Sequence, residues 1–295
     1  MARKIMLIIL FLIPSLVEGQ DFQSRQKDRR MILSLGTGFS RYLGDLEPKL
    51  SFKETHLNLN SGLQYRLFPH FLLRGEIVHY SISGNDNNAP QESGRQERNL
   101  SFRSRNWEVN FSVLITLFPV NHRFYLRKPI NPYFFTGIGG THFNPKANYQ
   151  DKWHTLQPLE TEGIKYNRTT TVIPIGAGLK IKVHPYLNIS SEIGYRYVYT
   201  DYLDDVSSTY PGVEYFQENQ LAGALSDRGP ELNLSPAPKG KVRGNSITEN
   251  NSFFSNYKDS YLLFQVKIEY FIPAGFKWKK DFNRKAQGTK KRLTY

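Results

Sequence analysis

The chain has 295 residues and no cysteine, carries 39 Lys and Arg against 26 Asp and Glu, and has a mean hydropathy of −0.51. These values exclude a disulfide framework, thiol catalysis and cysteine-ligated metal centres, and also a helical membrane bundle, which needs several apolar runs of about 20 residues. They leave open a transmembrane β-barrel, whose strands are apolar on one face only, and 20 Phe with 18 Tyr favour strands over helices.

At the N-terminus, Arg3 and Lys4 precede an apolar core, Ile5 to Val17, of signal-peptide length and too short to span a membrane. A signal peptide over residues 1–19 follows, cut near Gly19–Gln20. A retained anchor is the competing reading, and Pro14 interrupts the run it would need. Residues 20–30 are polar and read as a short periplasmic segment.

From Met31 onward the chain alternates with period two, the spacing of a strand with one apolar face. Leu33, Leu35, Thr37 and Phe39 oppose Ser34, Gly36 and Gly38. In His56 to Leu67, Leu57, Leu59, Leu63, Tyr65 and Leu67 oppose Asn58, Asn60, Gln64 and Arg66. Phe71 to Ser83 is noisier, because the face with Arg74 and Glu76 also carries Leu72, Val78 and Tyr80. Trp107 to Phe118 sets Trp107, Val109, Phe111, Val113, Ile115 and Leu117 against Glu108, Asn110, Ser112 and Thr116. Tyr133 to Phe143 is aromatic and Gly-rich on both faces. Thr171 to Val183 opposes Ile173, Ile175, Ala177, Leu179, Ile181 and Val183 to Gly176, Gly178, Lys180 and Lys182. Leu187 to Thr200 and Tyr261 to Ile272 repeat the pattern, with Asn188, Ser190, Glu192, Arg196, Gln265, Lys267 and Glu269 on the polar faces.

Eight strands result, and their connections alternate in length. Phe68-Pro69-His70 and His184-Pro185 are tight, Pro119 to Pro132 is intermediate and basic, and the other four links are long and polar. Short turns on one side and long loops on the other mark an outer-membrane barrel. A soluble eight-stranded barrel would put its apolar faces inside, yet the polar faces carry Arg66, Glu108, Lys180, Lys182, Glu192, Arg196, Lys267 and Glu269, which can pair inside a filled lumen. Residues 31–272 therefore read as an all-β, eight-stranded antiparallel transmembrane β-barrel of outer-membrane type.

Little in the chain suggests catalysis. His79 and Ser81 share a strand face, as a base and nucleophile must, and barrel lipid A deacylases use that spacing; the Asn that follows the Ser in their pattern is Ile82 here. A polar pair at the membrane interface is the simpler reading. Asp201, Asp204 and Asp205 could hold a hard cation, but they lack a calcium loop's spacing and glycine, so loop solvation competes. The seven histidines are scattered. No catalytic residue, metal or cofactor is expected.

The net charge of +13 is concentrated in one tail. Ala274 to Tyr295 holds Lys277, Lys279, Lys280, Arg284, Lys285, Lys290, Lys291 and Arg292 against Asp281, eight cations to one carboxylate. No nucleic-acid-reading motif accompanies them, and an exported protein meets little nucleic acid. Residues 273–295 are read as a basic periplasmic tail, with three possible roles: a solvated end, a contact with anionic headgroups, or a dock for an acidic periplasmic partner. Arg123, Arg127 and Lys128, in the link Pro119 to Pro132, would join that surface.

Several segments carry a family resemblance: Phe134 to Ala147 (FFTGIGGTHFNPKA), Leu156 to Tyr166 (LQPLETEGIKY), Ile173 to Val183 (IPIGAGLKIKV), Glu192 to Tyr210 (EIGYRYVYTDYLDDVSSTY) and Arg243 to Ser246 (RGNS). The chain resembles the small outer-membrane β-barrel family of Bacteroidota that includes PorG, called SprT in gliding relatives, of the type IX secretion system. The resemblance covers about Met31 to Ile272 and leaves the tail unmatched. It implies a non-enzymatic barrel, seated among outer-membrane lipids, that ties periplasmic lipoprotein and ring subunits of the secretion machinery to the membrane. Paralogous barrels of unknown role share the pattern. The alternatives are a surface-binding barrel that uses Asp201 to Lys258, the longest link, and a lipid A-modifying enzyme that uses His79 and Ser81.

Overall fold

The computed structural model describes residues 28–46, 54–120, 123–244 and 259–273. The signal segment and all the cationic tail residues from Lys277 to Arg292 lie outside the described residues. Ten strands are described: β1 (Met31–Leu43), β2 (Thr55–Arg66), β3 (Phe71–Asn85), β4 (Ser101–Thr116), β5 (Ile130–His142), β6 (Pro145–Tyr149), β7 (Lys152–Thr155), β8 (Thr169–His184), β9 (Leu187–Val198) and β10 (Ser260–Phe271). β1 to β5 and β8 to β10 pair antiparallel in sequence, and β10 pairs with β1 to close the ring. The fold is an eight-stranded antiparallel β-barrel. β6 and β7 form a hairpin attached to the start of β4.

The period-two pattern sets the faces. Leu33, Leu57, Leu73, Phe111, Phe134, Ile175, Ile193 and Val266 all point out of the ring and are exposed, Phe111 to 69%. A continuous apolar belt of this kind is an aggregation hazard in water and the expected surface in lipid. From Trp107 to Leu117 the outer face of β4 and its exit stays apolar, a rise of about 33 Å at ~3.3 Å per residue. With a strand tilt of ~40° that is about 25 Å of height, the thickness of a barrel's lipid-facing band. The polarity is inverted relative to a soluble barrel, and the fold is of the transmembrane, outer-membrane type. No helix among the described residues is long and apolar enough to cross a membrane.

One strand runs further than its alternation suggests, and the long polar link between β5 and β8 holds a hairpin that the alternation does not announce. β4 begins six residues before Trp107, with Phe102, Ser104 and Asn106 inside and Arg103 and Arg105 outside. Charges on the outer face hide the pattern there, because this stretch rises above the apolar belt. The β6–β7 hairpin turns on Gln150 and Asp151, both left-handed with φ of +50° and +61°, the geometry of a two-residue mirror-type turn. Neither residue is the Asn or Gly that usually announces such a turn.

The lumen is layered. At the end with short turns, Ile32, Leu72, Leu114, Phe124, Tyr133, Phe135, Tyr186 and Phe271 pack together. At the end with long loops, Tyr42, Val78, Tyr80, Ile82, Phe102, Val172, Val198, Tyr261 and Leu263 form a second apolar layer. The charged residues lie between. This explains the noisy inner face of β3: Leu72 belongs to one apolar layer, Arg74 and Glu76 to the middle, and Val78 and Tyr80 to the other. Glycines in the wall make room for the filling. A Cβ at Gly178 would stand 2.5 Å from the Tyr133 ring, and one at Gly194 would overlap the Arg196 guanidinium.

Candidate functional site: a sealed lumen and its cap

The middle layer holds four cations, Arg74, Lys180, Arg196 and Lys267, and four carboxylates, Glu76, Glu108, Glu192 and Glu269, all buried. Each strand places its charge inward through the alternation, and closure brings the charges within reach. Glu192 sits at the centre: its Oε2 accepts from Arg74 Nη1 and from the Tyr133 hydroxyl, both at 2.7 Å, and its Oε1 accepts from Lys267 Nζ at 2.5 Å. Lys267 also reaches Glu76. Lys180 pairs with Glu269 at 3.1 Å, and Glu269 accepts further bonds from Gln64 at 2.9 Å and Asn188 at 3.0 Å. Glu108 accepts from Tyr261 at 2.7 Å and faces Arg196 at 3.6 Å. Four charges of each sign cancel, and eight strands enclose only enough space for these side chains.

Two arginines cork the turn end. Arg29 donates to the Phe271 carbonyl at 2.9 Å, and its guanidinium lies 4.2 Å from the Tyr186 ring centre. Arg127 donates to Asn188 Oδ1 and to the carbonyls of Phe124, His184, Pro185 and Leu187, all between 2.6 and 3.1 Å, while stacking 4.5 Å over Phe271. Burial pushes its pKa down to about 10, against the opposing pull of Glu269, so it stays cationic at neutral pH. The expectation that Arg127 belongs to an exposed basic surface is therefore corrected. Its planar donor fork suits a ring of carbonyls, and it turns inward to tie the Phe124–Leu126 turn to the turn at 184–187 at the mouth. Arg123 and Lys128, on either side, do face outward.

At the other end the long loops fold into a cap. Arg98 grips Asp86 with both arms of its guanidinium, Nε to Oδ2 at 2.8 Å and Nη2 to Oδ1 at 2.7 Å. Arg243 pairs with Glu162 at 3.1 Å and donates to the Asp205 carbonyl at 2.7 Å. Glu162 accepts from the backbone amides of Ser207 and Ser208 at 3.0 and 2.9 Å. Asp205 accepts from the Thr161 hydroxyl and, at 2.6 Å, from Tyr166. The segments 156–166, 192–210 and 243–244, far apart in the chain, are thus one contact set. Glu162, Arg243 and Asp86 were not singled out by sequence reasoning, because their role depends on that convergence.

The three aspartates of TDYLDD are separated. Asp201 accepts from Ser207 at 2.6 Å, Asp205 is held as described, and Asp204 accepts from the Tyr42 hydroxyl at 2.7 Å and the Val206 amide at 2.9 Å. Among the described residues no three His, Asp or Glu side chains converge as metal ligands. Tyr42 also contacts Asp259, and its oxygen accepts the Asp45 amide. One hydroxyl has one proton to donate, so two carboxylates on Tyr42 require that one of them carries a proton. Burial is the largest cause raising the pKa of Asp204 and Asp259 well above the ordinary carboxyl range, and repulsion adds to it, from Asp259 and Asp45 on Asp204 and from Asp201 and Asp45 on Asp259. Burial likewise pushes Asp201 up to about 7 and Asp205 up to about 6.

His79 and Ser81 do face the same way, outward, but no hydrogen bond joins them. The His79 ring lies on Trp107, 4.6 Å between centroids, and its Nδ1 meets the Asn106 carbonyl at 3.0 Å.

A family described as "Domain of unknown function (DUF6089)" matches residues 4–225. Among curated proteins none matches the sequence. Solved structures with distant likeness include the outer membrane protein OprG from Pseudomonas aeruginosa (7% identity, 85% of this chain and 99% of that one, TM-score 0.41). Others are Neisserial surface protein A (8%, 82% and 97%, TM-score 0.40) and Ail, the attachment invasion locus protein of Yersinia pestis (12%, 82% and 98%, TM-score 0.39). At these scores the likenesses add nothing to what strand order and burial establish.

Proposed function

The chain belongs to the DUF6089 family, a domain of unknown function, and from that premise we propose that it is a non-enzymatic barrel of the outer membrane that anchors periplasmic lipoprotein and ring subunits of a type IX secretion machinery. The observation that carries this reading is a lumen filled by buried charges of balanced sign between two apolar layers. Such a barrel does not conduct, so its work falls to its ends. At the turn end, Arg127 holds a turn beside which Arg123, Leu126 and Lys128 are exposed, and β10 ends on the same side at Phe271, ahead of the basic sequence. A cationic face with an exposed Leu suits an acidic partner. The family resemblance of the loop segments supplies the identity of that partner.

The test is an affinity pull-down of the detergent-extracted protein, with bound proteins identified by mass spectrometry. Recovery of a periplasmic lipoprotein with its ring companion, weakened by salt, supports the anchor. A partnerless barrel overturns it. One observation favours a surface-binding role instead: the cap holds a cavity of about 490 Å³ lined by Tyr149, Tyr210, Val213, Phe216, Gln220 and Pro236 among others. Deleting the β9–β10 link distinguishes the two, since loss of surface attachment with secretion intact would select the second.

A further inference from the structure

The outer wall of β4 above the apolar belt has no role in the sealed lumen or the turn-end loop. Arg105 and Arg103 alternate outward there, two and four residues before Trp107. At ~3.3 Å per residue they stand about 7 and 13 Å from it along the strand. Lys146 on β6 is the register partner of Arg103, so the two side chains share the outer face. With Asn144 and Trp153 they line a cavity of about 290 Å³.

Three cations gathered this closely repel one another, and among the described residues none of them has a carboxylate within 4 Å or makes a side-chain hydrogen bond. Arg103 Nε is buried with no acceptor. Glu54, on the neighbouring strand pair, is engaged elsewhere, accepting from Ser83 and from Asn88 at 3.1 Å. On β3 the register partners of Trp107, Arg105 and Arg103 are His79, Ser81 and Ser83, so a column of imidazole and hydroxyl groups runs beside the guanidinium column. Trp153, on β7 of the hairpin and 52% exposed, is the kind of amphipathic ring that settles at a membrane–water boundary.

We propose that Arg103, Arg105 and Lys146 form a binding site for the phosphate of a lipid headgroup in the leaflet at the loop end, with Trp153 seated beside the lipid. Guanidinium forks match phosphate oxygens, and lipid is the source because the cations lie at the upper border of the apolar belt, facing where headgroups stand. The polar pair His79 and Ser81 then belongs to the lower wall of this site. The inference rests on the reading that the barrel sits in the outer membrane.

The probe is diphosphorylated lipid A, titrated by native mass spectrometry into the full chain in detergent micelles, with dephosphorylated lipid A and inorganic phosphate as comparisons. The variants are R103Q, R105Q and K146Q, with K165Q as an exposed control. Each site variant is expected to weaken binding of the diphosphorylated lipid about tenfold, with the control unchanged and the dephosphorylated lipid binding equally poorly throughout. Unchanged affinity in the triple variant overturns the site. Inorganic phosphate that competes at matched concentration shows a free-anion site and overturns the lipid assignment. Heat-modifiable migration and membrane fractionation of the same samples separate the two readings: a folded chain absent from the outer membrane fails the location, while an inserted barrel that ignores the lipid fails only this site.

Discussion

The lumen and the cap both bury carboxylates, but they neutralise them differently. In the lumen each acid has a cation: Glu192 has Arg74 and Lys267, and Glu269 has Lys180. In the cap, Asp204, Asp259 and Asp201 have hydroxyls and backbone amides instead. The lumen is held by charge, the cap in part by protons. The barrel wall should therefore be indifferent to pH over a range in which the cap is not.

The sharpest way to break this comparison is to remove one lumen charge. Glu192→Ala leaves Arg74 and Lys267 buried without their shared acceptor and is expected to lower stability by about 3–5 kcal/mol. A urea titration followed by heat-modifiable migration reads it, and a midpoint within error of the parent would show that the layer is not held by ion pairing. Tyr42→Phe comes next. It deletes the hydroxyl between Asp204 and Asp259, costs about 1–3 kcal/mol, and should appear as faster amide exchange in the cap with β2 and β3 unaffected.

Acidification is the third test. Asp201 and Asp205 have folded-state pKa values raised to about 7 and about 6, so between the ordinary carboxyl value of 3.8 and those values the closed cap binds more protons than the open one. Its stability is greatest below that window and is lost as pH rises through it. Protease nicking of the β9–β10 link should slow from pH 8 to pH 5, while the urea midpoint of the barrel stays fixed. Equal rates at both pH values would place the protons elsewhere. The smallest effect belongs to Lys128→Gln, an exposed change expected to shift stability by no more than about 0.5 kcal/mol while weakening partner capture at low salt.

The barrel was legible because period two is a local property: Leu57, Leu59 and Leu63 declare their face whatever lies across the ring. β3 was harder, since its inner face crosses three layers of different polarity, and a face average conceals layers. Arg127 was misplaced because a loop residue has no periodicity to give it a direction, and only the ring of carbonyls from Phe124 to Leu187 turns it inward. The cap was legible only as familiar segments. Glu162, Asp205 and Arg243 acquire meaning from contacts dozens of residues apart, which spacing along the chain does not encode.

Lys267 lies on β10, the last strand of the barrel in chain order among the described residues, and joins Arg74 in pairing Glu76 on β3 and Glu192 on β9. Until that strand arrives, two carboxylates facing the lumen share the single charge of Arg74, and withdrawing the uncompensated charge from water is unfavourable. An incomplete sheet therefore keeps an open, wet interior, and drying of the lumen coincides with arrival of the closing strand. Placing one of the two shared cations on the closing strand makes assembly self-checking: a sheet without β10 buries one carboxylate too many and stays distinguishable from a closed barrel.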